Sequence, residues 1–143
     1  MLMGEYTHAI DAKGRVILPA SFRNEIGATF VITKGLDTCL FLYSQPEWEA
    51  LSERLQRLSI AKPEARAVVR FFFSGARALD CDRQGRFLIP ANLRNYAQIG
   101  KDVVLIGVAN RIEVWGKERW TAYNDEVTPS MAEIASTLAD LGI

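Results

Sequence analysis

Two cysteines and a single histidine are all this 143-residue chain offers to thiol, imidazole or soft-metal chemistry. Two thiols make no disulfide framework, and a zinc site would need more ligands at closer spacing. One imidazole, His8, cannot assemble a Ser/His/Asp set with a visible partner, and no phosphate-cradling glycine loop is present. Ser74-Gly75 precedes a strand but has no glycine on its near side to make a nucleophile elbow. No apolar run approaches the eighteen or so residues of a membrane span. The opening MLMGEYTHAIDAKGR has neither the basic start nor the apolar core of a signal peptide, so the expectation is a soluble, cytoplasmic protein. Net charge is also missing: 17 basic residues balance 17 acidic ones. Taken alone, that argues against a nucleic-acid partner.

What the chain does have is one phrase said twice. Asp11–Asn24 reads DAKGRVILPASFRN, and Asp82–Asn95 reads DRQGRFLIPANLRN. An offset of 71 positions gives seven identities in fourteen: Asp11/Asp82, Gly14/Gly85, Arg15/Arg86, Pro19/Pro90, Ala20/Ala91, Arg23/Arg94 and Asn24/Asn95. The echo continues from Phe30 against Val103, and again in Glu47-Trp48 against Arg119-Trp120. Two copies of one supersecondary unit are implied. A unit of about 45 residues is too small to stand alone, so the copies are expected to share one core as an intramolecular pseudo-dimer. The alignment sets Cys81 opposite Ile10 and Cys39 opposite Ile112, which reads both cysteines as buried core thiols.

The distribution of charge restores nucleic acid as a partner. Residues Asn124–Ile143 hold four acids and no Lys or Arg, leaving +4 on the rest of the chain. Each repeat carries +2: Lys13, Arg15 and Arg23 against Asp11, and Arg83, Arg86 and Arg94 against Asp82. Such a patch gains force if an oligomer multiplies it.

Strands are expected at Glu5–Ile10, Arg15–Leu18, Phe30–Thr33 and Thr38–Tyr43, and again at Ala76–Cys81, Arg86–Ile89, Val103–Gly107 and Arg111–Trp115. They are short and bounded by turn signals, as in a small β-barrel. Amphipathic helices are expected at Pro46–Leu58, Pro63–Phe73 and Pro129–Leu141, the last capped by Thr128. Phe71-Phe72-Phe73 cannot all face one side of a helix, so one of them is expected to meet another subunit. The division is then 5–47 for the first repeat, 48–75 for a helical linker, 76–119 for the second repeat and 120–143 for a C-terminal helical segment.

The signatures Asp11-x-Lys13-Gly14-Arg15-x-x-x-Pro19 and Asp82-x-x-Gly85-Arg86-x-x-x-Pro90 resemble the paired DxxxR motifs of the MraZ family, with its two SpoVT/AbrB-type half-units. MGEYTHAIDAKGR, PEWEAL, RFFFSGA and GVANRIEVW fit the same family, so the resemblance runs from Met3 to about Trp120. It implies an α+β, β-rich fold: two swapped-hairpin units forming a pseudo-dimer barrel with flanking helices. It also implies ring-like homo-oligomers that bind tandem direct repeats in double-stranded promoter DNA upstream of the division and cell-wall gene cluster, the regulator's own gene included. Such a protein would be nucleoid-associated, non-enzymatic and free of cofactors and metals.

The residues of the motif divide by role. Asp11 and Asp82 suit acceptance of backbone N–H groups from a turn. Gly14 and Gly85 permit the turn, and Pro19 and Pro90 end the strand and begin a helical turn. A guanidinium is not needed for any of this. Arg15 and Arg86 therefore either pair with the aspartate four residues earlier or contact DNA phosphates and guanine edges. Lys13 and Arg83 are auxiliary DNA contacts, since their counterparts are Gln84 and Ala12. Arg23 and Arg94 remain open between DNA and an interior salt bridge. Two other classes compete: a hydrolase using Asp11 and Asp82, and an antitoxin-like protein that binds DNA and a toxin.

Overall fold

The computed structural model describes residues 1–143. The chain forms β1 (Leu2–Ala9), β2 (Arg15–Ile17), α1 (Ala20–Ile26), β3 (Thr29–Lys34), β4 (Leu40–Ser44), α2 (Gln45–Gln56) and α3 (Pro63–Gly75). It then repeats the pattern with β5 (Arg77–Asp80), β6 (Arg86–Leu88), α4 (Ala91–Tyr96), β7 (Asp102–Ala109), β8 (Arg111–Gly116) and α5 (Lys117–Val127). A 3-10 turn at Thr128–Ser130 leads into α6 (Met131–Ser136).

Six strands make one antiparallel sheet in the order β1-β7-β8-β4-β3-β5, and β2 pairs with β6 in a separate ribbon. The order shows how the repeats interlock. The first strand of each pairs with the third strand of the other: β1 along β7, from Leu2 opposite Ala109 to Ala9 opposite Asp102, and β5 along β3, from Thr29 opposite Asp80 to Ile32 opposite Arg77. Each hairpin thus completes its neighbour's sheet, and the fold is the α+β, swapped arrangement of two half-units. Hydrogen bonds do not join the sheet edges β1 and β5 into a closed cylinder.

A pseudo-two-fold axis follows from the registers. Val16 pairs with Phe87 and Phe41 with Glu113, each a residue facing its own counterpart. The first pair is 71 positions apart and the second 72. The alignment of Phe30 with Val103 carries an offset of 73, so the spacing drops by one residue between β7 and β8. That corrects the expected match of Cys39 with Ile112. Cys39 lies in the cluster on the outer face of the sheet, whereas Ile112 belongs to the main core, where its counterpart is Leu40. Cys39 is fully buried, and burial pushes its thiol well above the usual range; Cys81 is half-buried, and burial raises its thiol too.

The main core lies between the sheet and the layer made by the ribbon with α1 and α4. Val16, Leu18, Phe22 and Ile26 of the first repeat meet Phe87, Ile89, Leu93 and Ala97 of the second over Phe30, Ile32, Val103 and Leu105. β3, β4 and β7 read as unbroken apolar runs because both faces of the central sheet are covered. On the outer face Phe41, Tyr43, Val104 and Trp115 receive Trp48, Leu51, Phe72 and Trp120 from the flanking helices. Burying one such side chain contributes about 1.5–3 kcal/mol, and each wall draws side chains from both repeats, so neither repeat encloses the core alone.

Helical expectations need two corrections. The last helix does not run from Pro129 to Leu141. Instead α5 begins directly after β8, where Trp120 and Tyr123 pack on Trp115 with ring centroids 5.3 and 5.1 Å away. Pro129 cannot donate to a continuing ladder, so the chain tightens into the 3-10 turn there. Thr128 is not the N-cap of the last helix but the C-cap of α5, its backbone N–H on Asn124 O and its hydroxyl donating to Asn124 Oδ1 at 3.0 Å. Within the chain Phe71 meets Tyr96, Phe72 joins the outer-face cluster and Phe73 packs on Trp48, and all three remain half-exposed. No helix is long and apolar enough to cross a membrane.

Candidate nucleic-acid interface

Both DxxxR turns are built the same way. Asp11 Oδ1 accepts from the backbone N–H of Lys13 at 2.9 Å and of Arg15 at 2.8 Å. Asp82 Oδ1 accepts from Gln84 and Arg86, both at 2.9 Å. The backbone closes around each carboxylate, with Asp11 N donating to Arg15 O and Asp82 N to Arg86 O. These bonds, the one from the arginine's backbone first, hold both carboxyls below the ordinary aspartate range.

The second oxygen of each aspartate orients a guanidinium. Arg15 Nε donates to Asp11 Oδ2 at 2.8 Å, and Arg86 Nε to Asp82 Oδ2 at 2.9 Å. The choice between pairing and ligand contact is therefore not exclusive. Pairing occupies Nε and aims the two terminal nitrogens. Arg86 Nη1 also lies 4.0 Å from Asp11 Oδ2, so the two turns adjoin and bring their arginines together. Each arginine is about 30% exposed: 31% for Arg15 and 28% for Arg86.

Strand β2 and strand β6 join the turns across the axis. Leu18 N donates to Gly85 O at 2.8 Å and Ile89 N to Gly14 O at 2.9 Å. Gly14 and Gly85 have φ of 87° and 76°, the left-handed region that favours glycine. They serve a second purpose. A Cβ on Gly14 would overlap the guanidinium of Arg94, and one on Gly85 that of Arg23. Each helix arginine thus lies across the other repeat's turn, and Arg94 Nη1 donates to Ile89 O at 2.8 Å. Neither Arg23 nor Arg94 makes the interior salt bridge considered from the sequence; both brace the opposing turn.

Pro19 and Pro90 stand just before α1 and α4, and their carbonyls accept the first helical N–H bonds. Lys13 and Arg83 are exposed on the turns. Six cations, Lys13, Arg15, Arg23, Arg83, Arg86 and Arg94, thus gather at this end against Asp11 and Asp82. Sequence reasoning missed two further residues. Alternation along the ribbon buries Val16 and Phe87 at 1% exposure and turns Ile17 and Leu88 outward at 44% and 46%. Register sets Arg15 opposite Leu88 and Ile17 opposite Arg86, so two guanidiniums and two aliphatic groups share one face. The signal was available in the period of two, where Ile17 and Leu88 fall out of phase with the core.

No group of three or more His, Cys, Asp and Glu side chains is placed to hold a metal ion. His8 lies in β1, paired with Val103.

Comparison with known proteins finds the family described as "MraZ protein, putative antitoxin-like", matched twice along the chain, at residues 1–71 and 72–141. Proteins named transcriptional regulator MraZ are similar over their whole length. That of Syntrophomonas wolfei is 54% identical, that of Thermoanaerobacter sp. strain X514 55% and that of Desulfitobacterium hafniense 53%, each over 143 residues covering 100% of both chains.

Proposed function

The chain belongs to the MraZ family, and from that premise we propose that it is a sequence-specific DNA-binding transcriptional regulator that reads double-stranded promoter DNA with its paired arginine turns. Arg15 and Arg86 are the principal contacts, and Lys13 and Arg83 auxiliary ones. Asp11 and Asp82 position the guanidiniums, while Gly14, Gly85, Pro19 and Pro90 shape the turns. The observation that carries the reading is the adjoining pair of Nε-anchored guanidiniums, whose terminal nitrogens remain for phosphate oxygens or guanine O6 and N7.

The chemistry of the ribbon supports a major-groove partner. A two-stranded β-ribbon fits that groove, and aliphatic side chains there meet thymine methyl groups. Ile17 and Leu88 are aliphatic, outward-facing and flanked by the arginines. Anchoring by Nε also reduces the side-chain entropy lost when each guanidinium binds.

One chain makes few contacts, so tight binding calls for many chains. The reading includes a ring-like homo-oligomer on direct repeats spaced about 10–10.5 base pairs apart, so that successive grooves face the protein. Linked sites raise avidity by about 10²–10⁴. The target proposed is the division and cell-wall gene cluster with the regulator's own gene, which places the protein on the nucleoid. A gel shift on DNA upstream of that gene tests it, run with the intact chain and with Arg15→Ala plus Arg86→Ala. Retarded DNA with the first and none with the second is the expected result. Equal retardation by a folded double variant overturns the site. The antitoxin-like wording of the family description motivates one alternative, a toxin partner, which co-purification followed by a toxicity assay would reveal.

A further inference from the structure

We propose that the C-terminal segment Met131–Leu141 of one copy docks in the groove between α2 and α3 of the next, making a head-to-tail contact. Exposed apolar side chains gather in two places remote from the ribbon. The first is a groove of about 210 Å³ between the two helices, lined by Leu55, Leu58, Ile60 and Val69. Ile60 at its mouth is 82% exposed. The second is the chain's end, where Met131 and Ile134 on α6 and Leu138 and Leu141 in the turn after it lie at i, i+3, i+7 and i+10 and are all exposed. Helix-in-groove recognition uses anchors at i and i+3, which Met131 and Ile134 supply on α6, while Leu138 and Leu141 follow in the turn.

Charge selects the occupant. Residues 53–70 carry Arg54, Arg57, Lys62, Arg66 and Arg70 against Glu53 and Glu64, a net +3 around the groove. Arg66 and Arg70 line it directly. The chain's ion pairs engage Arg57 but neither of these two. Arg66 instead donates to the carbonyls of Ile60 and Ala61, which fixes the groove's rim. The segment from Asn124 onward carries Asp125, Glu126, Glu133 and Asp140 and no cation. An apolar stripe flanked by carboxylates thus faces an apolar groove flanked by guanidiniums.

Topology makes the contact intermolecular. Helices α2 and α3 cover the β3–β4 half of the sheet, whereas α5 covers β7 and β8 and carries α6 outward through the 3-10 turn. The groove and the segment therefore sit over opposite halves of the molecule. Two different surfaces meeting between copies form a heterologous interface, which gives a ring where the rotation between copies closes. The inference rests on the assembly proposed for DNA binding and names its contact; the arginine site is independent of it.

The test uses two full-length variants altered at exposed or half-exposed positions, so that folding is preserved: Ile134→Asp with Leu138→Asp, and Arg66→Glu with Arg70→Glu. Light scattering on the unaltered chain at tens of micromolar is expected to give several times 16.0 kDa. Each variant is expected to fall to the mass of one chain with an unchanged melt. Mixing them is the decisive step, because one keeps its groove and the other its tail. They are expected to form a one-to-one dimer that grows no further. An unaltered chain that is monomeric, variants that retain the assembly, or single-chain variants that do not pair on mixing would each overturn the proposal. Arg15→Ala with Arg86→Ala is expected to keep the full mass, so loss of DNA binding and loss of assembly are read separately.

Discussion

The two repeats agree at one end of the molecule and part company at the other. At the ribbon end, Asp11 and Asp82, Gly14 and Gly85, and Arg15 and Arg86 make matching hydrogen bonds to within 0.1 Å or so. On the helical side, α2 continues into α3 and leaves a basic groove, whereas α5 breaks at Pro129 and ends in an acidic tail. Duplication kept a pair where a pair is useful, a two-fold surface that presents the same group twice. It diverged where unlike surfaces are useful, since two identical faces cannot make a directional contact. The axis itself shows both behaviours: Val16 faces Phe87 as core, while Phe41 faces a glutamate, Glu113, held by Arg111 at 2.8 Å and by the Trp115 indole at 3.1 Å.

The largest expected effects break the shared core. Phe87→Ala removes an aromatic ring that packs on Phe30 at 5.8 Å and should cost about 3–5 kcal/mol. Val16→Ala, at the equivalent place, removes far less volume and should cost clearly less. Denaturant melts of both variants measure the asymmetry of a site that is symmetric in backbone.

Substituting the turn glycines should instead give equal losses. Gly14→Val and Gly85→Val each impose a left-handed backbone on a β-branched residue and drive a Cβ into the opposing arginine. About 2–3 kcal/mol is expected for each, from backbone strain and overlap together. Adding Arg94→Ala to Gly14→Val should recover part of that loss, while adding Arg23→Ala should recover none. Equal recovery by both would contradict the crossed bracing.

Acid should loosen both turns together. Asp11 and Asp82 have folded pKa values below the ordinary 3.8, so their contribution is fully present above that value. It is lost as pH falls below about 3.8 and through the folded values. Asp11→Asn with Asp82→Asn should flatten this acid limb of the stability curve and lower its plateau near neutrality, as melts across pH would show. The smallest effect concerns the aliphatic pair. If Ile17 and Leu88 meet thymine methyls, replacing contacted thymines by uracil should weaken binding by about 0.8 kcal/mol per methyl. The same replacement should have no effect on Ile17→Ala at its own position.

Much of this organisation was legible in the sequence because glycine, proline and a turn aspartate are tied to single backbone tasks. The repeat of Gly14, Arg15 and Pro19 at Gly85, Arg86 and Pro90 located both turns and the helical starts behind them. What escaped had no local signature. The one-residue shift before β8 lies in the hairpin turn, where residues 35–39 between Lys34 and Leu40 answer to the shorter 108–111 between Gly107 and Ile112, so an ungapped alignment puts Cys39 on the wrong face. The packing of Arg23 on Gly85 joins residues 62 positions apart in different repeats. Helix α5 was hidden because Lys117–Val127 is polar except at a few positions, and its anchor is the indole of Trp115 rather than its own periodicity.

Pooling of the two arginines into one site is the central claim, and operator affinity measured against salt tests it most directly. A duplex from upstream of the chain's own gene would be titrated with the unaltered protein, Arg15→Ala, Arg86→Ala and the double variant, each checked for an intact melt. Either single change is predicted to weaken binding by about 1–3 kcal/mol for a base contact, or to flatten the salt slope for a phosphate contact. The double variant is predicted to lose specific binding altogether. Full affinity and an unaltered salt slope in a folded double variant would contradict the claim.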